Sequence, residues 1–397
     1  YHTTFYKFGF RKKGVGSREQ GVGKEGKEQT SLGPQSPASD PQSPISTPHS
    51  PLPTPHSLLE VNDLRVTFTV LRGQHRISVL AVRGVSFEVG KGEILGIVGE
   101  SGSGKSVSVQ AIPGLHPRNA EMTGSVLFEG NEILGLPINA LREYRGKKIG
   151  MIFQEPGRSY DPLQKMEKVF LETFRNSDPK ISREESIEKA AALLAEIGLS
   201  NGKERLMNFP HQFSGGQLQR IGIALALAQG CELLIADEPT TALDVTIQKQ
   251  IIDLLKTLRR NRKLSIIFIS HDIDLVTDIS DKVLVMYGGL VMESSSSETI
   301  SSGKAIHPYT KALLAASPVF GSHYSKERLQ VIPGKVIDPV NPGAGCPFAA
   351  RCADCNAENK VCDQAIPALC RVGEGHEVRC VLVADSKNSD DGAKAVT

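Results

Sequence analysis

Two stretches carry residues whose types and order could handle a nucleotide. "GESGSGKS", Gly99 to Ser106, follows the apolar run "EILGIV" and reads G-x-x-x-x-G-K-S. Gly99, Gly102 and Gly104, with Ser101 and Ser103 between them, free the backbone to point successive N–H groups at phosphate oxygens. Lys105 has the reach for β- and γ-phosphates, and the Ser106 hydroxyl can ligate Mg²⁺. The next residues, "SVSVQAIPGL", are predicted to form a helix whose positive N-terminus faces the anion. In the second stretch, "LLIADEPT", Leu233 to Ala236 is the continuous apolar run of a parallel strand buried on both faces. It ends in Asp237 and Glu238, at the carboxyl edge where such sheets bind ligands. Asp237 is placed to hold Mg²⁺ through water, and Glu238 to orient and polarise an attacking water. A glycine-rich turn with a chance lysine, or an acidic strand end without a role, is the plainer reading of either stretch alone. The full pattern between strand and helix weighs against both, and the pair implies Mg-dependent nucleotide hydrolysis.

A second glycine pair, in "FSGGQLQR" (Phe213 to Arg220), stands at the start of another predicted helix. Alone, "SGG" is a common helix cap with Ser at the N-cap. Its company narrows the class: "MIFQEP" around Gln154, "ALD" at Ala242 to Asp244 and "FISHD" around His271 complete an ordered set. In that order the motifs resemble those of ABC-type ATPases, whose signature usually has Leu in place of Phe213. The resemblance runs from about Leu58 to the C-terminus. It implies an α/β fold: a P-loop core on a parallel sheet, an antiparallel β-subdomain, an inserted helical subdomain and a small Cys-rich extension. It also implies roles. Ser214, Gly215, Gly216 and Gln217 would close over ATP held by a second ATPase chain, with Asp244 in the D-loop. Gln154 would contact Mg²⁺ and water and report on a membrane partner, and His271 would sense the γ-phosphate. Phe68, in "LRVTFTV", stands where the family stacks an aromatic on adenine, although a strand-core Phe reads nearly as well.

These motifs need elements to carry them. The 397 residues, 39% hydrophobic and 23% charged, suit an ordinary globular chain. The longest apolar runs are strand-length, short of the roughly 20 residues of a membrane span, so any membrane crossing falls to other chains. Residues 1–57 hold seven Lys/Arg and four acids, +3 of the overall +2, which leaves the rest near −1. A body so close to neutral lacks the footprint of a nucleic-acid binder. The tail repeats P-[QH]-S at Pro34, Pro41, Pro48 and Pro55. That much proline forbids a helix and buries too little to fold, so disorder is expected. The first Met is Met122, inside the expected folded region, and the expectation is a native start near Leu58 at a non-Met codon. The ATPase domain is expected over 58–302, its helical subdomain over about 158–218 ("SREESIEKAAALLAEIGL" has helical spacing), and a C-terminal extension over 303–397.

Six of the seven cysteines fall in 346–380. Clustered thiols in a cytosolic ATPase suggest metal rather than disulfides. "HPYTKALLAASP" (His307 to Pro318) and "TALDVTIQ" resemble the peptide/nickel branch of the family, whose tails are associated with a [4Fe–4S] cluster. By that resemblance its ligands would be Cys346, Cys352, Cys362 and Cys380. Three extra residues precede Cys362, and Cys352-x-x-Cys355 is itself good ligand spacing, so Cys355 competes for the third place. Zn²⁺, free thiols and disulfides stay open; Cys231 reads as an ordinary buried thiol. Two departures stand out: Leu218 where the branch usually has Arg, and "EPGRSYDP" where "EPMTSLNP" is typical.

The resemblance thus implies a Mg-dependent ATPase subunit of an importer for di- or oligopeptides, on the cytoplasmic face of a bacterial inner membrane. Its partners would be a second ATPase subunit, alike or different, two membrane permeases and an extracytoplasmic binding protein. Nickel or another small solute is the alternative cargo. A soluble ABC ATPase would be expected to carry a coiled coil or a second ATPase domain, which this sequence lacks. A metal- or redox-sensing ATPase is suggested by the cysteines alone.

Overall fold

The computed structural model describes residues 57–241, 243–317, 331–355 and 361–383. The Pro-rich tail up to residue 56, Ala242 of "ALD" and Pro318 lie outside the described residues.

The strand that leads into the phosphate loop, β3, belongs to an eight-stranded sheet and pairs on both sides. After β1 (Ser57–Arg72), β2 (His75–Gly90) and β3 (Ile94–Val98) come β4 (Ala120–Phe128), β5 (Asn131–Glu132), β6 (Ile149–Ile152), β7 (Leu233–Asp237) and β8 (Ser265–Ser270). The chain then adds β9 (Lys282–Tyr287), β10 (Leu290–Ser296), β11 (Cys370–Gly373) and β12 (His376–Val378). The large sheet runs β11-β12-β10-β9-β3-β8-β7-β6. Its β9-β3-β8-β7-β6 portion is parallel, and the strands beyond β9 are antiparallel.

Burial on both faces explains the unbroken apolar strands. Ile94, Val98, Leu234, Ala236, Ile266 and Phe268 face one hydrophobic layer, while Leu95, Ile97, Leu233, Ile235, Ile267 and Ile269 face another. The second layer is shared with the four-stranded antiparallel sheet β2-β1-β4-β5 and with helix α1 (Lys105–Ala111). The first is filled by helices, among them α2 (Met166–Arg175), α3 (Arg183–Glu196), α4 (Gly202–Leu206) and α5 (Gly215–Leu227). Further along the chain α6 (Val245–Arg262), α7 (Ile273–Ile279) and α8 (Pro308–Ala316) cover the same face. Ser182 caps α3 by accepting from the Glu185 N–H, which is why the "SREE" stretch starts a helix there. No helix among the described residues is long and apolar enough to cross a membrane.

The cysteine-rich end does not stand apart from this core. The hairpin β11–β12, turned at Glu374-Gly375, adds to the edge of β10, with Glu293 opposite Val378. Glu293 is wholly buried. Its carboxylate accepts from the Ile306 and His307 N–H groups at 2.8 and 3.0 Å and lies 2.8 Å from His376 Nε2. A buried carboxylate needs such partners to be tolerated.

Candidate nucleotide site

The phosphate loop is shaped by backbone crowding on several sides. A Cβ at Gly99 would stand 2.1 Å from the Met286 carbonyl oxygen of β9, and one at Gly104 would stand 2.6 Å from that of Ala81 in β2. Only glycine lets the main chains come so close. The Gly288-Gly289 turn between β9 and β10, with φ of 54° and 78°, presses on the same place. Its Gly289 N–H donates to the Ser103 carbonyl at 3.1 Å.

Lys105, 4% exposed, donates from Nζ to the Gly99 and Glu100 carbonyls at 2.7 and 2.9 Å. Burial lowers its pKa, and the charges of Glu238, Asp237 and Glu100 oppose that shift. Ser106 Oγ donates to Asp237 Oδ1 at 2.7 Å, and Gln110 Nε2 donates to Oδ2 at 3.1 Å. Asp237, at the end of β7, is buried, and desolvation raises its pKa against those two hydrogen bonds. The structure thus joins the loop to the acidic strand end, two stretches more than a hundred residues apart in sequence.

Glu238 gathers the next group. Its Oε2 accepts from Gln154 Nε2 at 3.0 Å and from Thr241 Oγ1 at 2.9 Å, and His271 Nδ1 lies 3.9 Å away. Its own backbone has φ 47°, a left-handed conformation that costs a non-glycine residue roughly 1–3 kcal/mol. Such strain, at a carboxylate held by two side chains, persists only where the surroundings fix it. Thr241, in "DEPTT" three residues after Glu238, is a partner to which the motif pattern alone does not point.

The remaining candidates sit on separate elements. Phe68 is on β1 opposite Val79 and Ala120, half-buried against the second layer. Ser214 and Gln217 form a reciprocal capping box at the start of α5, 3.3 and 3.1 Å. Asp244 caps α6, accepting from the Ile247 N–H at 3.0 Å. These hydrogen bonds close on their own helices, yet the two helix starts touch: a Cβ at Gly216 would meet Ile247 at 2.8 Å. The two departures also meet. Leu218 packs on Gly157 of "EPGRSYDP", where a Cβ would lie 3.3 Å from its Cδ1.

Cys231 is buried and its thiol is pushed up to about 12 by desolvation. Of the clustered cysteines, Cys346, Cys352, Cys355, Cys362 and Cys380 line one cavity with His307, Phe348 and Asp354, while Cys370 lies on β11. Burial raises Cys346 to about 11 and Cys362 to about 12, and raises Cys352 and Cys380 as well. Among the described residues no three His, Cys, Asp or Glu groups stand close enough to hold a metal ion. The thiols share a cavity but do not converge as a ligand set.

A family profile described as "ABC transporter" matches residues 82–241, and one described as "Oligopeptide/dipeptide transporter, C-terminal region" matches residues 292–358. The oligopeptide transport ATP-binding protein OppD of Bacillus subtilis is 43% identical over 328 residues, 82% of this chain and 89% of that one. The dipeptide transport ATP-binding protein DppD of Lactococcus lactis is 42% identical over 295 residues, 74% and 82% of the two chains. A solved dimeric structure of the ATP-binding cassette MJ0796 with ADP and Pi matches at TM-score 0.53 and 28% identity. That match covers 60% of this chain and 98% of the other. Fold and site together define an ATPase of the ABC class. Within that class, the chain belongs to the family of oligopeptide/dipeptide ABC-transporter ATP-binding proteins.

Proposed function

We propose that this ATPase drives an importer of di- or oligopeptides, and that Glu238 sets the attacking water. The observation that carries the second part is the convergence of Gln154, Thr241 and His271 on Glu238 beside the Ser106–Asp237 pair. The loop's N–H groups and Lys105 would hold the phosphates, with Lys105 exchanging its two carbonyl acceptors for phosphate oxygens. Ser106, Asp237 and Gln154 supply the hard oxygen donors that Mg²⁺ prefers, and they fit because that ion keeps water and phosphate in its remaining positions. The ion would neutralise phosphate charge. Glu238 accepts hydrogen bonds from both neighbours and is suited to orient a water towards the γ-phosphorus, with His271 steadying it. Phe68 would stack on adenine.

Ser214 to Gln217 start a thirteen-residue helix, whose Gly215 and Gly216 N–H groups lie outside the Ser214–Gln217 capping box. In this reading they close over ATP bound by a second ATPase subunit, with Asp244 at the same seam. Two permeases would receive the stroke through the helical subdomain at the cytoplasmic face of the membrane, fed by an external binding protein. The relatives' names favour peptides over nickel as cargo. A [4Fe–4S] cluster on Cys346, Cys352, Cys362 and Cys380, with Cys355 competing for the third place, has the shared cavity in its favour and the lack of a converged ligand set against it, and no step is routed through it. Iron and zinc content of anaerobically purified protein decides whether the thiols hold either metal.

The test of the ATPase reading is the Glu238→Gln variant with and without MgATP, followed by light scattering on a sizing column. A shift from monomer to dimer on adding ATP is expected. A monomer that still binds ATP would mean that the signature closes on a different ATPase chain.

A further inference from the structure

Glu100, the second residue of the phosphate loop, is held at every polar group it has. Its N–H donates to the Tyr309 hydroxyl at 2.9 Å, and its carbonyl accepts from Lys105 Nζ at 2.9 Å. Its carboxylate is clamped by Arg351, with Nη1–Oε2 2.5 Å and Nη2–Oε1 2.9 Å, a two-pronged pair. The Arg351 side chain is 4% exposed. It also donates to the carbonyls of Pro333 and Ile332 and to the Tyr287 hydroxyl, and its guanidinium lies 5.6 and 5.8 Å from the Tyr287 and Phe348 ring centres. Tyr287, Tyr309 and Phe348 pack on one another with ring centres 4.7 to 5.4 Å apart. Arg351 itself ends a tight turn, Ala349–Arg351, that is strapped between Cys346 and Cys352 by backbone hydrogen bonds.

We propose that Arg351 and Tyr309 are positioning residues for nucleotide binding: the C-terminal segment grips Glu100 and thereby sets the phosphate loop and Lys105. The inference rests on the ATPase reading above. The physical case is one of leverage. Gly102, with φ 80° and open space around it, gives the middle of the loop little restraint. The two carbonyls that hold Lys105 before phosphate replaces them belong to Gly99 and Glu100, so a shift of the Glu100 peptide displaces the resting lysine together with the loop backbone. A fork-shaped cation fixes a carboxylate in angle as well as distance, which a lysine at the same place cannot do. The competing account is that the pair only fastens the C-terminal segment to the core, since a buried ion pair is weak evidence for any further role.

The two accounts separate in a comparison of nucleotide affinity with thermal stability. The full chain and its Arg351→Gln, Arg351→Lys, Tyr309→Phe, Glu100→Gln and Arg351→Gln/Glu100→Gln variants would be titrated with a fluorescent ATP analogue and melted without nucleotide. Arg351→Gln is expected to weaken binding roughly tenfold, the order of one lost charge-assisted contact. Arg351→Lys should fall between it and the wild type. The double variant should bind no worse than the weaker single one, because both remove the same interaction. Steady-state hydrolysis of Arg351→Lys should show a raised KM with kcat little changed. Should Arg351→Gln fail to fold, Arg351→Lys and Tyr309→Phe give the same comparison, since each keeps most of the packing. Wild-type affinity in these variants alongside a lowered Tm would overturn the clamp and leave a fastening role. A wild-type chain that bound no nucleotide would overturn the ATPase reading and the clamp with it.

Discussion

At the scale of single residues, His307 shows how a side chain outside the nucleotide site contributes to the response to pH. It is 1% exposed, its Nδ1 accepts from the Tyr309 N–H at 3.0 Å, and burial pulls its pKa down to about 4 from an ordinary 6.5. The unfolded chain therefore takes up a proton on this ring first as pH falls. Stability is unaffected by His307 above about pH 6.5 and declines between there and about pH 4, by ~3 kcal/mol if the ring stays neutral throughout. Urea titrations of the wild type and His307→Gln across that range should show the decline in the first and a shallower one in the second. A wild type equally stable at both ends would contradict the buried neutral imidazole. Sequence alone made Glu238, Asp237 and Lys105 legible, because their motifs fix residue types within a few positions. It could not give Arg351 as the partner of Glu100 across 251 residues, where only the folded chain decides who meets whom.

At the scale of elements, legibility followed burial and length. The strands β3, β7 and β8 are unbroken apolar runs because both faces are covered, so their pattern announces them. Helix α3 is announced by the helical spacing of "SREESIEKAAALLAEIGL", and Ser182 caps its start by accepting from the Glu185 N–H. Ser182→Ala should cost about 1 kcal/mol of stability, seen in denaturant unfolding, with ATP affinity unaltered because the helix sits away from the loop's hydrogen bonds. An altered affinity would instead tie α3 to the site. By contrast, β11 and β12 are four and three residues long and half-polar, "CRVG" and "HEV". Nothing in that stretch marks a strand pair, and its place on β10 depends on the buried Glu293 and on Arg379, whose N–H donates to the Met292 carbonyl at 2.8 Å. The clustered cysteines point to a metal-binding appendage, whereas the segment that carries them also builds a sheet edge, with Cys370 on β11.

At the scale of the whole molecule, that edge matters. A chain ending after Leu369 would keep the Arg351 clamp but lose the hairpin, leaving β10 with unpaired N–H and carbonyl groups and Glu293 without His376. Open edges of this kind invite pairing between molecules. The truncated chain should pass into the pellet on centrifugation at concentrations where the full chain stays in the supernatant; equal solubility would mean the hairpin is dispensable cover. The central position of β3 has a further consequence, for the order in which the molecule is made. Its two neighbours, β8 and β9, leave the ribosome long after it, and the residue that grips Glu100 emerges later still. Contacts so distant along the chain form slowly. A nascent chain that already displays "GESGSGKS" therefore still lacks the strands on both sides of β3 and the partner of Glu100, so its phosphate loop stays unfinished until those residues are made.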